Sequence, residues 1–152
     1  MERLEIGCQE SSHEGDWEKF ARLNGRVLIV DDAPDILKLT ARILCRLGLE
    51  VTTAENGRDA FEIALLAKEA GSGFDVILMD VELPIISGME ATALLRESGF
   101  SEPIIAIPGS AGNWIEQHCL DAGCSDFISK PVTFERLYDS LRRYLKVAVA
   151  TM

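Results

Sequence analysis

Arg26-Val27-Leu28-Ile29-Val30-Asp31-Asp32-Ala33-Pro34 passes from an unbroken apolar, β-branched run to two adjacent aspartates and then to a proline. A short apolar run without polar alternation reads as a strand covered on both faces, as strands in parallel sheets are. Proline is favoured in the first turn of a helix, so Pro34 opens the next element. That helix is expected over residues 34–47, with Ile36, Ile43, Leu44 and Leu47 as its apolar positions and Gly48 as its stop. Strand, acidic turn, helix is therefore the unit to look for in the rest of the chain.

The unit recurs. Residues 50–53 read as a second strand, and residues 57–70 as a helix with Ala60, Ile63, Ala64 and Ala67 on one stripe. Residues 76–79 form a third apolar strand, followed by a loop with Pro84 and Gly88 and a helix over 89–97. Ile104–Ile107 is a fourth strand and Asn113–Ala122 a helix ended by Gly123. Residues 127–128 are a short fifth strand, after which Thr133 caps a helix with the stripe Phe134, Leu137, Leu141 and Leu145. Five such units predict an α/β domain: a doubly wound, five-stranded parallel sheet with helices on both faces through right-handed crossovers. Sites in such folds lie at the carboxyl ends of the strands, near the topological switch point.

Composition agrees. The chain has 152 residues, 47% of them hydrophobic and 26% charged, which is enough for one globular core. Its apolar runs are too short for a membrane span. Fifteen basic residues against 25 acidic give a net charge of −10, which disfavours nucleic acid as a partner. Cys8, Cys45, Cys119 and Cys124 form no CxxC pair and read as buried apolar filler in a reduced, cytoplasmic protein, and the acidic start lacks the apolar segment of a secretory signal. Residues 1–24 are polar. They are expected to be a linker or an appended helix over 16–23, capped by Asp16 with Trp17 and Phe20 on one face, and to contribute little to the fold.

At the carboxyl ends of the expected strands stand Asp31 and Asp32, then Asp80, then Pro108, Gly109 and Ser110, and finally Lys130 with Pro131. Each has an ordinary reading as a turn, cap or surface residue. Three carboxylates brought together, however, repel one another unless a cation, a shared proton or solvent separates them. An all-oxygen donor set suits Mg²⁺, and neither His13 nor His118 falls at this end to make a zinc site. Lys130 offers a point charge to a phosphoryl oxygen.

Val30-Asp31-Asp32, then Met79-Asp80-Val81-Glu82-Leu83-Pro84 with Ser87-Gly88, then Ser129-Lys130-Pro131, resembles the receiver domain of response regulators in two-component signalling, both single-domain regulators and receiver modules of hybrid sensor kinases. The likeness covers residues 25–148 and leaves 149–152 as a tail. It implies a flavodoxin-like strand order 2-1-3-4-5. It further implies Asp80 as phosphoacceptor from a histidine kinase or histidine phosphotransfer protein, with Asp31, Asp32, Asp80 and the backbone carbonyl of Glu82 around Mg²⁺. Lys130 would pair with the phosphoryl oxygens, Phe127 would be the switch aromatic, and the Lys130–Pro131 bond matches one often cis in the family. No further domain is expected after the last helix, and output is expected through a partner protein on the face of the fourth helix, fifth strand and fifth helix, with Trp114 a candidate contact.

One position departs from the resemblance. The family usually has Thr or Ser directly after the fourth strand, where this chain has Pro108, which lacks both a hydroxyl and a backbone N–H. Ser110, two residues on, is the nearest substitute. Two alternatives therefore stand beside a phosphorylated relay. One is a receiver-fold interaction module that does not switch. The other is a haloacid-type phosphatase, which wants Asp-x-Asp after the first strand, where the position after Asp32 is Ala33.

Overall fold

The computed structural model describes residues 20–148. In chain order the elements are β1 (Leu23–Asn24), β2 (Arg26–Val30), α1 (Pro34–Arg46), β3 (Glu50–Ala54), α2 (Gly57–Glu69), β4 (Val76–Asp80) and α3 (Gly88–Glu97), then β5 (Ile104–Ile107), α4 (Asn113–Ala122), β6 (Asp126–Phe127), α5 (Phe134–Tyr144) and β7 (Lys146–Val147). The central sheet is all parallel in the order β3-β2-β4-β5-β6. Setting aside β1 and β7, this is the expected 2-1-3-4-5.

The three central strands, β2, β4 and β5, bury both faces, and their side chains alternate between two cores as the pleat requires. Leu28, Val30, Ile77, Met79, Ile104 and Ala106 pack beneath α2, α3 and α4 with Ala60, Ala64, Met89, Leu95 and Cys119. Val27, Ile29, Val76, Leu78 and Ile105 pack on the other side with Leu37, Ala41 and Leu44 of α1 and Leu137, Tyr138 and Leu141 of α5. The chain leaves β2 toward β3 on one side and returns to β4 on the other, so the switch point lies between β2 and β4.

Helix capping follows the sequence. Asn56, Ser87 and Thr133 each accept a hydrogen bond from the backbone N–H three residues on. Gly123 ends α4 in the left-handed region, as Gly at that position does.

Three expectations need correction. The first concerns α1, whose buried face is Leu37, Ala41, Leu44 and Cys45, while Ile36 is 51% exposed. The helix turns the i, i+4, i+7, i+8 row onto the sheet, and Ile36 lies about 100° round the helix from Leu37. The second concerns the last strand, which is Asp126–Phe127, one residue earlier than expected, although Ile128 still bonds to Ala106.

The third concerns the amino-terminal boundary. Leu23 and Asn24 form an antiparallel ribbon with Val147 and Lys146, and Leu23 is 1% exposed in the core. Phe20 packs edge-on to Phe134 at 4.6 Å between ring centroids and lies 4.9 Å from Tyr138, whose hydroxyl donates to the Ala21 carbonyl at 2.7 Å. Residues 20–24 are therefore part of the domain, and residues 146–147 form the strand that pairs with Leu23 and Asn24. The expected helix over 16–23 gives way to strand at Leu23, while Trp17 and the other residues before 20 lie outside the described region. Cys45, Cys119 and Cys124 are buried, as expected. Cys8 also lies outside the described residues. Among the described residues, no helix is long and apolar enough to cross a membrane.

Candidate functional site

The parallel register brings the acidic residues together. Val30 of β2 stands opposite Met79 of β4, so Asp31 and Asp32, which follow β2, and Asp80, the last residue of β4, meet at the switch point. One carboxylate oxygen from each of the three lies within 4.8 Å of the other two. Asp31 and Asp80 are buried, at 7% and 1% exposure, and Asp32 is open to solvent. A hydrogen bond of 2.9 Å from the Ala33 N–H holds the Asp31 carboxylate in its turn.

Lys130 arrives from the next pair of strands. Beyond β6 the chain keeps step with β5: the Ile128 N–H donates to Ala106 and the Lys130 N–H to the Pro108 carbonyl, at 2.8 and 2.9 Å. Its side chain then reaches Asp80, with Nζ 3.1 Å from Oδ2. The other Asp80 oxygen accepts the Glu82 N–H at 3.2 Å. The Lys130–Pro131 bond is cis.

Burial pushes the Asp80 carboxyl above its ordinary value, and the nearby Asp31 charge adds to this. The hydrogen bonds from Lys130 and the Glu82 N–H, with the Lys130 charge, pull the other way without cancelling it. Lys130 is also raised: partial burial lowers it, but the hydrogen bond and charge of Asp80, with Asp31 and Glu82, outweigh that. Buried carboxylates this close retain a need for positive charge that one lysine only partly meets. The donors are hard oxygens, one of them solvent-exposed, and this set fits a small divalent ion that keeps several waters, as Mg²⁺ does.

The structure thus gathers Asp31, Asp32, Asp80 and Lys130 into one cleft. Pro108 is buried one step beyond the β4–β5 ladder, which runs to the pair Asp80 and Ile107, while Gly109 and Ser110 are exposed. Phe127 is half-buried against the core beneath α3 and α4. Two features of the site were not read from the sequence. Gly88 presses on Asp80 so closely that a β-carbon there would collide with the Asp80 carbonyl oxygen, and its N–H bonds to Val81 at 3.0 Å. Ile85, in the same loop, has φ +71°, an outlier for a β-branched residue, with the Ile86 N–H bonded to the Pro84 carbonyl across it. The Ser87-Gly88 pair was the available signal for the first; nothing local marks the second.

Known proteins resemble this chain. Residues 27–142 match the response regulator receiver domain family. The chain is 33% identical over 118 residues to hybrid signal transduction histidine kinase I of Dictyostelium discoideum, spanning 75% of this chain but 7% of that protein. It is 32% identical over 116 residues to two-component response regulator 24 of Arabidopsis thaliana, covering 76% of this chain and 81% of that one. Among solved structures it resembles the receiver domain of the sensor histidine kinase PA1611 of Pseudomonas aeruginosa PAO1, in which a magnesium ion is coordinated in the active-site cleft. The TM-score is 0.70 and the identity 32%, with 80% of this chain and 97% of that one covered. With the fold, the strand order and most of the chain matched, this protein belongs to the response regulator receiver domain family of two-component signal transduction.

Proposed function

We propose that this receiver accepts a phosphoryl group on Asp80 from a phosphohistidine of a histidine kinase or histidine phosphotransfer protein. The observation that carries this is the Asp80 carboxylate, 1% exposed, 3.1 Å from the Lys130 ammonium and within 4.8 Å of two further aspartates. An Asp80 oxygen attacks phosphorus, the nitrogen–phosphorus bond breaks, and the imidazole leaves with the electron pair. The product is an acyl phosphate, whose hydrolysis resets the protein. Phosphoryl transfer asks the protein mainly for an aligned nucleophile and positive charge on the equatorial oxygens. Lys130 supplies part of that charge and holds the nucleophile by one oxygen, while the Glu82 N–H holds the other. Asp31, Asp32, Asp80 and the Glu82 backbone carbonyl would hold Mg²⁺, whose chemistry is to neutralise charge on the transferring group.

Signalling then passes through protein–protein contacts on the α4–β6–α5 face. Trp114, 74% exposed and stacked on His118 at 5.6 Å, supports that face as a contact surface. Pro108 favours a second reading, a receiver that takes phosphate but does not switch. Mass spectrometry after incubation with Mg²⁺ and a small phosphodonor tests the assignment. One phosphoryl adduct is expected, and Asp80→Asn should abolish it; an adduct that persists in Asp80→Asn means the nucleophile lies elsewhere.

A further inference from the structure

We infer that Arg136 is a positioning residue for phosphoryl transfer: from the first turn of α5 it fixes the peptide unit that carries Lys130, and so aims the Lys130 ammonium at Asp80. The inference rests on Asp80 being the phosphoacceptor and extends the site to a residue of α5.

Lys130 carries its charge on a long, flexible stem. A misplacement of about 1 Å in a group that acts on the reacting atoms can cost about a hundredfold in rate. The backbone from which that stem springs must therefore be held. The Ser129–Lys130 peptide is bonded at both ends. Its N–H, on Lys130, donates to the Pro108 carbonyl at 2.9 Å. Its C=O, on Ser129, points the opposite way, as in any trans peptide, and β6 is an edge strand with no further strand there to donate to it. Arg136 takes that place. Its Nη1 donates to the Ser129 carbonyl at 3.1 Å, and its Nη2 lies 3.5 Å from the Ser129 hydroxyl. The next residue, Pro131, has no N–H to add a further tie.

Arg136 is itself fixed. Its N–H donates to the capping Thr133 hydroxyl at 3.3 Å, and the two residues after it, Leu137 and Tyr138, are buried in the core. Its side chain turns back toward the start of the helix, the direction helical side chains take. The line of contact then runs from α5 through Arg136 to the Ser129–Lys130 peptide, and from Lys130 Nζ to Asp80 Oδ2 at 3.1 Å. Arg136 is exposed, so its tie is partly screened by water and the expected effect is modest.

The test times adduct formation on the full chain with Mg²⁺ and phosphoramidate. Arg136→Gln removes the fork, Arg136→Lys keeps the charge and a single donor head, and Arg42→Gln, on the exposed side of α1, controls for net charge. Arg136→Gln should slow the reaction about fivefold, Arg136→Lys should regain part of that loss, and Arg42→Gln should match the unaltered chain. In a Lys130→Ala background Arg136→Gln should cost less than about 1.5-fold, because a residue that acts through another has no effect once the other is gone. The NMR resonance of the Lys130 amide, recorded without phosphodonor, should move in Arg136→Gln and stay in Arg42→Gln. The inference falls if Arg136→Gln reacts at the unaltered rate or if the Lys130 amide does not move. It falls equally if Arg136→Gln costs as much without Lys130 as with it, since Arg136 would then act on the donor by its own charge. If Lys130→Ala takes up no phosphate, the amide resonance decides. Failure of every form, the unaltered chain included, to take up phosphate would instead overturn the assignment of Asp80, and this inference with it.

Discussion

At the scale of single residues, Asp80 is held in a state that favours function over stability. Its carboxyl titrates above the ordinary value because burial, with the Asp31 charge, opposes ionisation. A group with a raised folded-state pKa contributes its stability in full below the unfolded value and loses it as pH rises through the folded value. For Asp80 that window begins near the ordinary aspartate value of 3.8 and extends upward. Asp80→Asn removes the titration, so without divalent ion the variant should melt higher than the unaltered chain at neutral pH, and the gap should close toward acid. Thermal unfolding across pH checks this; a gap that widens on acidification would reverse the assignment. Divalent ion should act the other way, since whatever binds only the folded state stabilises it, by about 2.7 kcal/mol at a hundredfold excess over Kd. Mg²⁺ should therefore raise the melting temperature of the unaltered chain more than that of Asp80→Asn. Asp32→Ala should weaken Mg²⁺ binding by at least about tenfold in calorimetry. Unchanged affinity would mean that these carboxylates are not the ligands. Elsewhere a buried group is kept out of chemistry: the Cys124 thiol is pushed up to about 12 by burial, which suits packing and not reactivity.

At the scale of elements, the sheet strands and the aspartates that end them were legible in the sequence, because a strand buried on both faces is an apolar run and its end is a change of chemistry. Arg26–Val30, Ile104–Ile107 and Asn113–Ala122 stand where the residues placed them. What was not legible depends on distant partners. The exposure of Ile36 follows from which row of α1 the sheet covers, and the apolar positions Ile36, Ile43, Leu44 and Leu47 did not show that row. The ribbon of β1 and β7 has two residues in each strand, too few for any period, and it joins Leu23 to Val147 across almost the whole domain. The ribbon has an energetic consequence opposite to the expectation for a linker. Leu23 is 1% exposed, so Leu23→Ala should destabilise the domain by about 2–5 kcal/mol in urea unfolding. Removal of residues 1–24 should cost at least as much, because it also takes Phe20 from Phe134 and Tyr138. A loss of under about 1 kcal/mol for the truncation would show that α5 holds its place without the ribbon.

At the scale of the whole molecule, the question is how far an event at Asp80 reaches. The loops after β5 and β6 are tied by the Lys130 N–H bond to the Pro108 carbonyl, and Lys130 itself touches Asp80. A physical route therefore runs from the nucleophile to β6 and α5. A route is not a switch, since a ligand shifts a two-state equilibrium only by its differential interaction with the two states. The family resemblance places a hydroxyl where Pro108 stands, to bond the phosphoryl group in one state. Without it, about 1.5–3 kcal/mol of charge-assisted hydrogen bonding is missing from that difference. This is comparable to a whole coupling energy of about 1–3 kcal/mol. Phe127 is present and half-buried, but the group that would draw the loop inward is absent, and proline stiffens the loop by holding its own φ. The expected outcome is phosphorylation with a weak response on the α4–β6–α5 face. Amide hydrogen exchange over residues 110–145, with and without a beryllofluoride phosphoryl mimic, measures that response. The unaltered chain should change little there, and Pro108→Thr should change more, most of all around Phe127 and the first turn of α4. If the unaltered chain already responds in full and Ser110→Ala removes the response, then the exposed Ser110 hydroxyl moves in to serve the phosphoryl group, and Pro108 does not uncouple the two ends of the molecule.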